Sequence, residues 1–250
     1  MTKASWIAAV LVTASLLGCN LQSGGGVSDS PIAESGADLS GTRVATFAGG
    51  CFWCVEADFE KVPGVVEAIS GYSGGTEVDP SYSQVASGRT GHVEAVQVYY
   101  DPAVITYEGL LQAFWRMIDP TDAGGQFSDR GRQYATAIFF HDEDQGSTAE
   151  RSLAELAASG RYDGPLVTPI RPAMTFYTAE DYHQNYYRRN GLRYGFYRRG
   201  SGRDRFLDSV WGEDLEMDFG RYSPASPQAT SVTIDAQTSA REPWCRNTLS

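Results

Sequence analysis

The sequence predicts an α+β fold, a two-layer domain with a mixed central β-sheet and flanking helices. Four short runs carry the sheet: residues 44–48, 65–70, 92–99 and 135–140 are β-branched or aromatic and bounded by turn residues. Runs of helical period lie between them, and strands alternating with helices of this length pack as two layers. Taken in order, the strand at 44–48 runs into Gly49-Gly50 and then a helix that begins at Cys51 and stops before Pro63. The 92–99 strand sets Val93, Ala95, Gln97 and Tyr99 on one face and His92, Glu94, Val96 and Val98 on the other. After Asp101-Pro102, apolar residues recur at Tyr107, Leu110, Leu111, Phe114 and Ile118, the stripe of an amphipathic helix over 107–118. A further helix spans 142–159, ended by Gly160.

The flanks have a different composition. Met1-Thr2-Lys3 precedes an apolar run over 6–17, the pattern of a secretory signal and too short for a membrane span. Leu16-Leu17-Gly18-Cys19 resembles the lipobox of bacterial lipoproteins, in which the cysteine is acylated and becomes the first mature residue. The expected organisation is a signal peptide over 1–18, a flexible Ser/Gly-rich tether over 19–41, one folded domain over 42–221 and a poorly ordered tail over 222–250. Acyl chains on Cys19 would hold an exported protein to a membrane of the bacterial cell envelope, each buried CH2 adding ~0.8 kcal/mol. The chain has 250 residues and a net charge of −11, which disfavours a phosphate backbone as partner.

With Cys19 lipidated, Cys51, Cys54 and Cys245 remain. An odd number in an oxidising compartment points to a reactive thiol. The chemistry-bearing segment is Gly49-Gly50-Cys51-Phe52-Trp53-Cys54-Val55-Glu56. Two glycines permit a sharp turn from strand to helix, and in the first helical turn unpaired N–H groups and the helix dipole would favour a Cys51 thiolate. Zinc needs four ligands, and there is neither a second cysteine pair nor ligand spacing among His92, His141 and His183. A thioredoxin-like module also uses Cys-x-x-Cys at a helix start. Here Phe52 and Trp53 fill the gap between the cysteines, an apolar mouth that suits an apolar substrate better than a protein disulfide.

That segment resembles the signature of the A-type peptide-methionine (S)-sulfoxide reductases, which return oxidised methionine to methionine. The resemblance continues in order through Gly71-Tyr72-Ser73-Gly74-Gly75, Pro80-Ser81-Tyr82, Thr90 to Val96, Phe114-Trp115, Asp119-Pro120-Thr121, Asp129-Arg130-Gly131, Gln133-Tyr134 and Ala179 to Gln184. It implies a ferredoxin-like core and a monomer without cofactor. The implied substrates are oxidised proteins, peptides and free methionine sulfoxide, with a thioredoxin-like reductant as partner. It implies Cys51 as nucleophile, Glu94 as proton donor to the sulfoxide oxygen, Tyr82 and Tyr134 as hydrogen-bond partners of that oxygen, Asp129 as an orienting group, and Phe52 and Trp53 as the pocket for the methyl group on sulfur. The acid has a physical rationale of its own. A sulfoxide oxygen leaves poorly unless protonated, and a glutamic acid stays protonated at neutral pH only when buried among apolar groups.

One departure bears on the catalytic cycle. Members of this family often carry a cysteine where Ser201 stands, and serine cannot resolve a sulfenic acid on Cys51. Cys54, three residues along the same helix start, and Cys245 in the tail are the two alternatives, with Cys54 favoured. The basic and aromatic run over 193–205 reads as a solvated face balanced by the acidic stretch 213–218, and His183 as a structural residue. A membrane-anchored thiol–disulfide exchange module of thioredoxin-like function stands as the alternative reading.

Overall fold

A computed structural model describes residues 36–224 of the chain. Cys19, Cys245, the signal-like segment and the tail beyond residue 224 lie outside the described residues.

The sheet is built around β1 (Arg43–Gly49), whose neighbours are β3 (Val93–Tyr100) and β6 (Thr136–Phe140). Outward from β3 come β2 (Val65–Ser73) and β8 (Tyr177–Thr178), and outward from β6 comes β7 (Ile170–Pro172). The strand order is β7-β6-β1-β3-β2-β8, antiparallel except for the parallel β6–β7 pair, so the sheet is mixed. The four long strands overlap the four runs expected from the sequence. β7, β8 and a small hairpin of β4 (Gly125–Gln126) with β5 (Asp129–Arg130) are too short to leave a period.

Alternation divides the sheet into two faces. Phe47, Val96 and Val98 join the main core with Phe52, Val55 and Phe59 of α1 (Phe52–Phe59), and with Leu110, Leu111 and Phe114 of α3 (Tyr107–Trp115). Phe47 stacks on Phe59 at 4.9 Å between ring centroids and meets Phe114 at 4.9 Å. Ala149 and Leu156 of α4 (Glu143–Ala158) join the same core, as do Leu207 and Trp211 of α7 (Arg203–Trp211). The opposite face is a row of small residues, Ala48, Ala95 and Ala137, with Phe139, covered by Ala173 and Phe176.

The helix boundaries have local causes. Asp142 accepts a hydrogen bond from the Gln145 amide at 2.8 Å and caps α4, and Thr106 does the same for α3 through Gly109 at 3.2 Å. α3 ends at Trp115, one turn before the Ile118 limit of its apolar stripe, although Ile118 remains buried. The 193–205 run is a helical corner whose Arg193, Arg199 and Arg205 are exposed, as expected of a solvated face, whereas Arg198 and Arg203 turn inward. It holds most of α6 (Gly191–Ser201) and the start of α7; Arg198 is largely buried in ion pairs with Asp58 and Asp204, and Arg203 is fully buried. Of the acidic stretch, Asp214 pairs with Arg161 at 2.8 Å. Ser201 bonds the Arg198 carbonyl at 2.7 Å and accepts from the Arg203 amide at 3.3 Å, fastening the corner.

Candidate active site

The turn from β1 into α1 dictates where the thiols sit. Gly50 has φ +85°, and a Cβ there would lie 2.5 Å from the Gln126 Cβ, so only glycine fits. Cys51 is the N-cap of α1, one residue ahead of the expected position in its first turn, and its side chain is buried. Phe52, Trp53 and Cys54 form that first turn. A cleft of about 120 Å³ is lined by Cys51, Phe52, Trp53, Tyr82, Glu94, Asp129, Tyr134 and Tyr197. All seven residues that the sequence assigns to the catalytic group and methyl pocket therefore share one cavity. Cys54 lies just behind it, in a buried cluster with Ala57, Tyr186 and Tyr194.

Glu94 reaches this cleft because it faces the same side of β3 as Val96 and Val98, and its carboxylate accepts the Phe52 amide at 3.0 Å. Burial pushes its carboxyl up from 4.5 to about 8, against the lowering effect of that amide and with further raising from Asp129 and Cys54. Glu94 therefore carries its proton at neutral pH and can donate it. Burial likewise raises the phenol of Tyr82 to about 12 and that of Tyr134 beyond the ordinary range, so both remain hydrogen-bond donors. Asp129 is raised by burial and accepts a 2.5 Å hydrogen bond from Tyr197. Tyr197 was not among the residues assigned from the sequence. Its place on α6 turns it into the cleft, where it donates to Asp129 and shares the lining with Cys51, and its phenol is raised by burial.

The thiols correct the sequence expectation. Burial pushes the Cys51 thiol well above its ordinary value, and hydrogen bonding to Cys54 acts in the same direction. Cys54 is instead lowered to about 7, chiefly by its hydrogen bond with Cys51, aided by Arg203 and Arg198 and opposed by burial. The two thiols titrate as a pair, with Cys51 raised and Cys54 lowered beside it.

The segment 179–184 builds the pocket wall from behind. Glu180 accepts from the Tyr82 amide at 2.9 Å and the Tyr72 hydroxyl at 2.8 Å. Gln184 bonds both the amide and the carbonyl of Ser70 at 2.9 Å, continuing the edge of β2 as a strand would. Glu56, fully buried, accepts from Ser70 and from the amide of Asn185, which ties α1 to this segment. His183 is thereby laid against Phe52, Trp53 and Tyr82, and its Nδ1 accepts the Trp53 indole N–H at 3.1 Å. Burial lowers the His183 pKa to about 4, so the ring is neutral and serves to fix the indole plane.

A buried dithiol at a helix start, set against a neutral carboxylic acid in a cup of aromatic rings, defines a thiol-based reductase. A family model described as peptide methionine sulfoxide reductase matches residues 43–215, and the chain belongs to that family. It is 52% identical over 167 residues to peptide methionine sulfoxide reductase MsrA of Listeria monocytogenes, covering 67% of this chain and 94% of that one. Against MsrA/MsrB of Vibrio cholerae it is 52% identical over 170 residues, 68% of this chain, and spans 45% of that relative's length. Among solved structures, reduced Mxr1 from Saccharomyces cerevisiae matches with a TM-score of 0.58 and 32% identity, covering 62% of this chain and 89% of Mxr1. The mixed sheet with flanking helices is the fold of these relatives.

Proposed function

We propose that the chain reduces the S epimer of methionine sulfoxide, in oxidised proteins and peptides and as the free amino acid. The observation that carries the reading is the single cleft holding Cys51 against a Glu94 carboxyl kept protonated by burial. In this reading Cys51 attacks the sulfoxide sulfur while Glu94 protonates the oxygen, with Tyr82 and Tyr134 bonding that oxygen and Asp129 orienting the site. Phe52 and Trp53 enclose the methyl group. The oxygen passes formally from the methionine sulfur to Cys51, releasing methionine and leaving a sulfenic acid.

Cys54 then attacks the Cys51 sulfur, forming a disulfide and releasing the hydroxyl as water. A thioredoxin-like dithiol takes up that disulfide by exchange and restores both thiols. The Cys54 amide bonds the Cys51 carbonyl at 3.1 Å, which holds the two residues in one turn and supports Cys54 as the resolving partner over Cys245. The lipobox-like Leu16-Leu17-Gly18-Cys19 supports export and anchoring to a membrane of the cell envelope.

The test uses the separate epimers of free methionine sulfoxide with dithiothreitol as reductant. Stoichiometric methionine from the S epimer, abolished in Cys51→Ser, is the expected outcome, because a hydroxyl is hardly ionised at neutral pH. Reduction of insulin disulfides without methionine formation would instead assign a thiol–disulfide exchange module.

A further inference from the structure

Arg203, at the start of α7, is 1% exposed, yet no carboxylate among the described residues pairs with it. Its guanidinium donates to two backbone carbonyls, Met117 O and Gly49 O, the latter at 3.0 Å, and lies 4.6 Å over the Phe127 ring. A buried cation with only carbonyl partners is costly unless an anion stands near it. The guanidinium lies against the turn that carries the thiols, since a Cβ on Gly50 would come within 3.1 Å of its Nη2. The neighbouring Arg198 differs. It is already paired with Asp58 and Asp204, both at 2.8 Å, which largely cancel its charge.

We propose that Arg203 is the buried counter-charge of the dithiol, a positioning residue that holds the negative charge on Cys54 and so readies Cys54 to attack the Cys51 sulfenic acid. This rests on the reading of Cys54 as the resolving thiol. In that step the Cys54 sulfur–Cys51 sulfur bond forms and the Cys51 sulfur–oxygen bond breaks. Cys54 sulfur is oxidised, Cys51 sulfur is reduced, and hydroxide departs with a proton as water.

The groups facing Cys54 are few. Cys51 precedes it, Asp58 shares its helix, and Glu94 approaches from β3. From α6 come Tyr194, Tyr197 and Arg198, and Tyr186 packs from α5 (Tyr186–Arg189). Asp58 opposes the anion, Glu94 is neutral while it keeps its proton, and the paired Arg198 adds little net charge, so Arg203 is the cation of the set without a carboxylate partner. Its field agrees with the lowering of Cys54 to about 7 and also reaches Asp129.

The test compares the full chain with Arg203→Gln, which keeps N–H donors for the two carbonyls without the charge, and Arg203→Lys, which keeps the charge. The readouts are the ultraviolet titration of the thiolate and the rate of Cys51–Cys54 disulfide formation after one equivalent of methionine sulfoxide. In Arg203→Gln the apparent thiol pKa should rise by roughly one unit or more. Disulfide formation at pH 7 should slow about fivefold or more and recover as the pH is raised, while Arg203→Lys should titrate close to wild type. An unshifted pKa in folded Arg203→Gln would overturn the proposal, as would slowing by the same factor at every pH. Should the Gln variant fail to fold, the wild-type titration decides, because a dithiol whose first proton leaves no lower than an ordinary cysteine's has no counter-charge. Mass mapping of the wild-type thiols separates the two readings. Absence of a Cys51–Cys54 disulfide removes Cys54 as resolving thiol but leaves the pKa comparison standing as a test of Arg203.

Discussion

Replacing Glu94 by glutamine keeps the side chain's shape and its acceptor for the Phe52 amide but removes the proton that the sulfoxide oxygen needs. The burial that raises this carboxyl from 4.5 to about 8 sets the magnitude. At pH 7 a group titrating near 8 is roughly nine-tenths protonated, whereas one at 4.5 would be protonated in about three molecules per thousand. A general-acid step is worth ~100- to 10,000-fold, so single-turnover methionine formation in Glu94→Gln should fall by that order at neutral pH. Wild type should lose activity as the pH rises through about 8, where the acid form disappears, and the variant should lack that alkaline limb. Wild-type stability should fall in the same direction. Because the folded pKa lies above the unfolded one, the stabilisation tied to the proton is fully present below about 4.5 and is lost as the pH rises through about 8. The full shift corresponds to on the order of 5 kcal/mol, so Glu94→Gln should become the more stable protein in urea as the pH climbs across that window. An undiminished single-turnover rate, or an alkaline limb that survives in the variant, would show that solvent or a tyrosine supplies the proton.

Three other outcomes follow from the structure and the sequence. Cys54→Ser should reduce one equivalent of sulfoxide and then stall with thioredoxin while small thiols still recycle it, and Cys245→Ser should cycle normally; steady-state assays with the two reductants decide, and the reverse pattern would assign Cys245 as the resolving residue. Full-length protein expressed in bacteria should partition into detergent, whereas Cys19→Ala should be soluble or unprocessed, as phase separation followed by mass spectrometry would reveal. Phe47→Ala removes a fully buried ring stacked on Phe59 and packed against Phe114 and should cost ~3–5 kcal/mol of stability, read from the urea midpoint.

Legibility followed the length of the signal. The four long strands and helices α1, α3 and α4 carry period-2 or helical patterns that survive in a single sequence. β7, β8 and the β4–β5 hairpin are two or three residues long and exist only because tertiary neighbours complete them. Seven cleft residues were assigned through motif resemblance, because the spacing of Tyr82, Asp129 and Tyr134 alone reveals no shared cavity. Tyr197 was missed because its run reads as basic and solvated. Only the fold shows that α6 turns Tyr194 and Tyr197 inward, while Leu192 and Phe196 remain exposed. The thiol assignment was half correct. The helix start is there, but whether a buried sulfur ionises depends on desolvation and on Arg203, which lies far along the chain.

The two cysteines enclose only Phe52 and Trp53, the residues that wall the methyl pocket. In the proposed cycle, closing the Cys51–Cys54 bond would bend the very segment that grips the product, so the chemical state of the sulfurs and the shape of the pocket are written into one four-residue stretch. The oxidised enzyme should then hold methionine more loosely than the reduced enzyme holds the sulfoxide, and turnover would clear its own product without a separate gate.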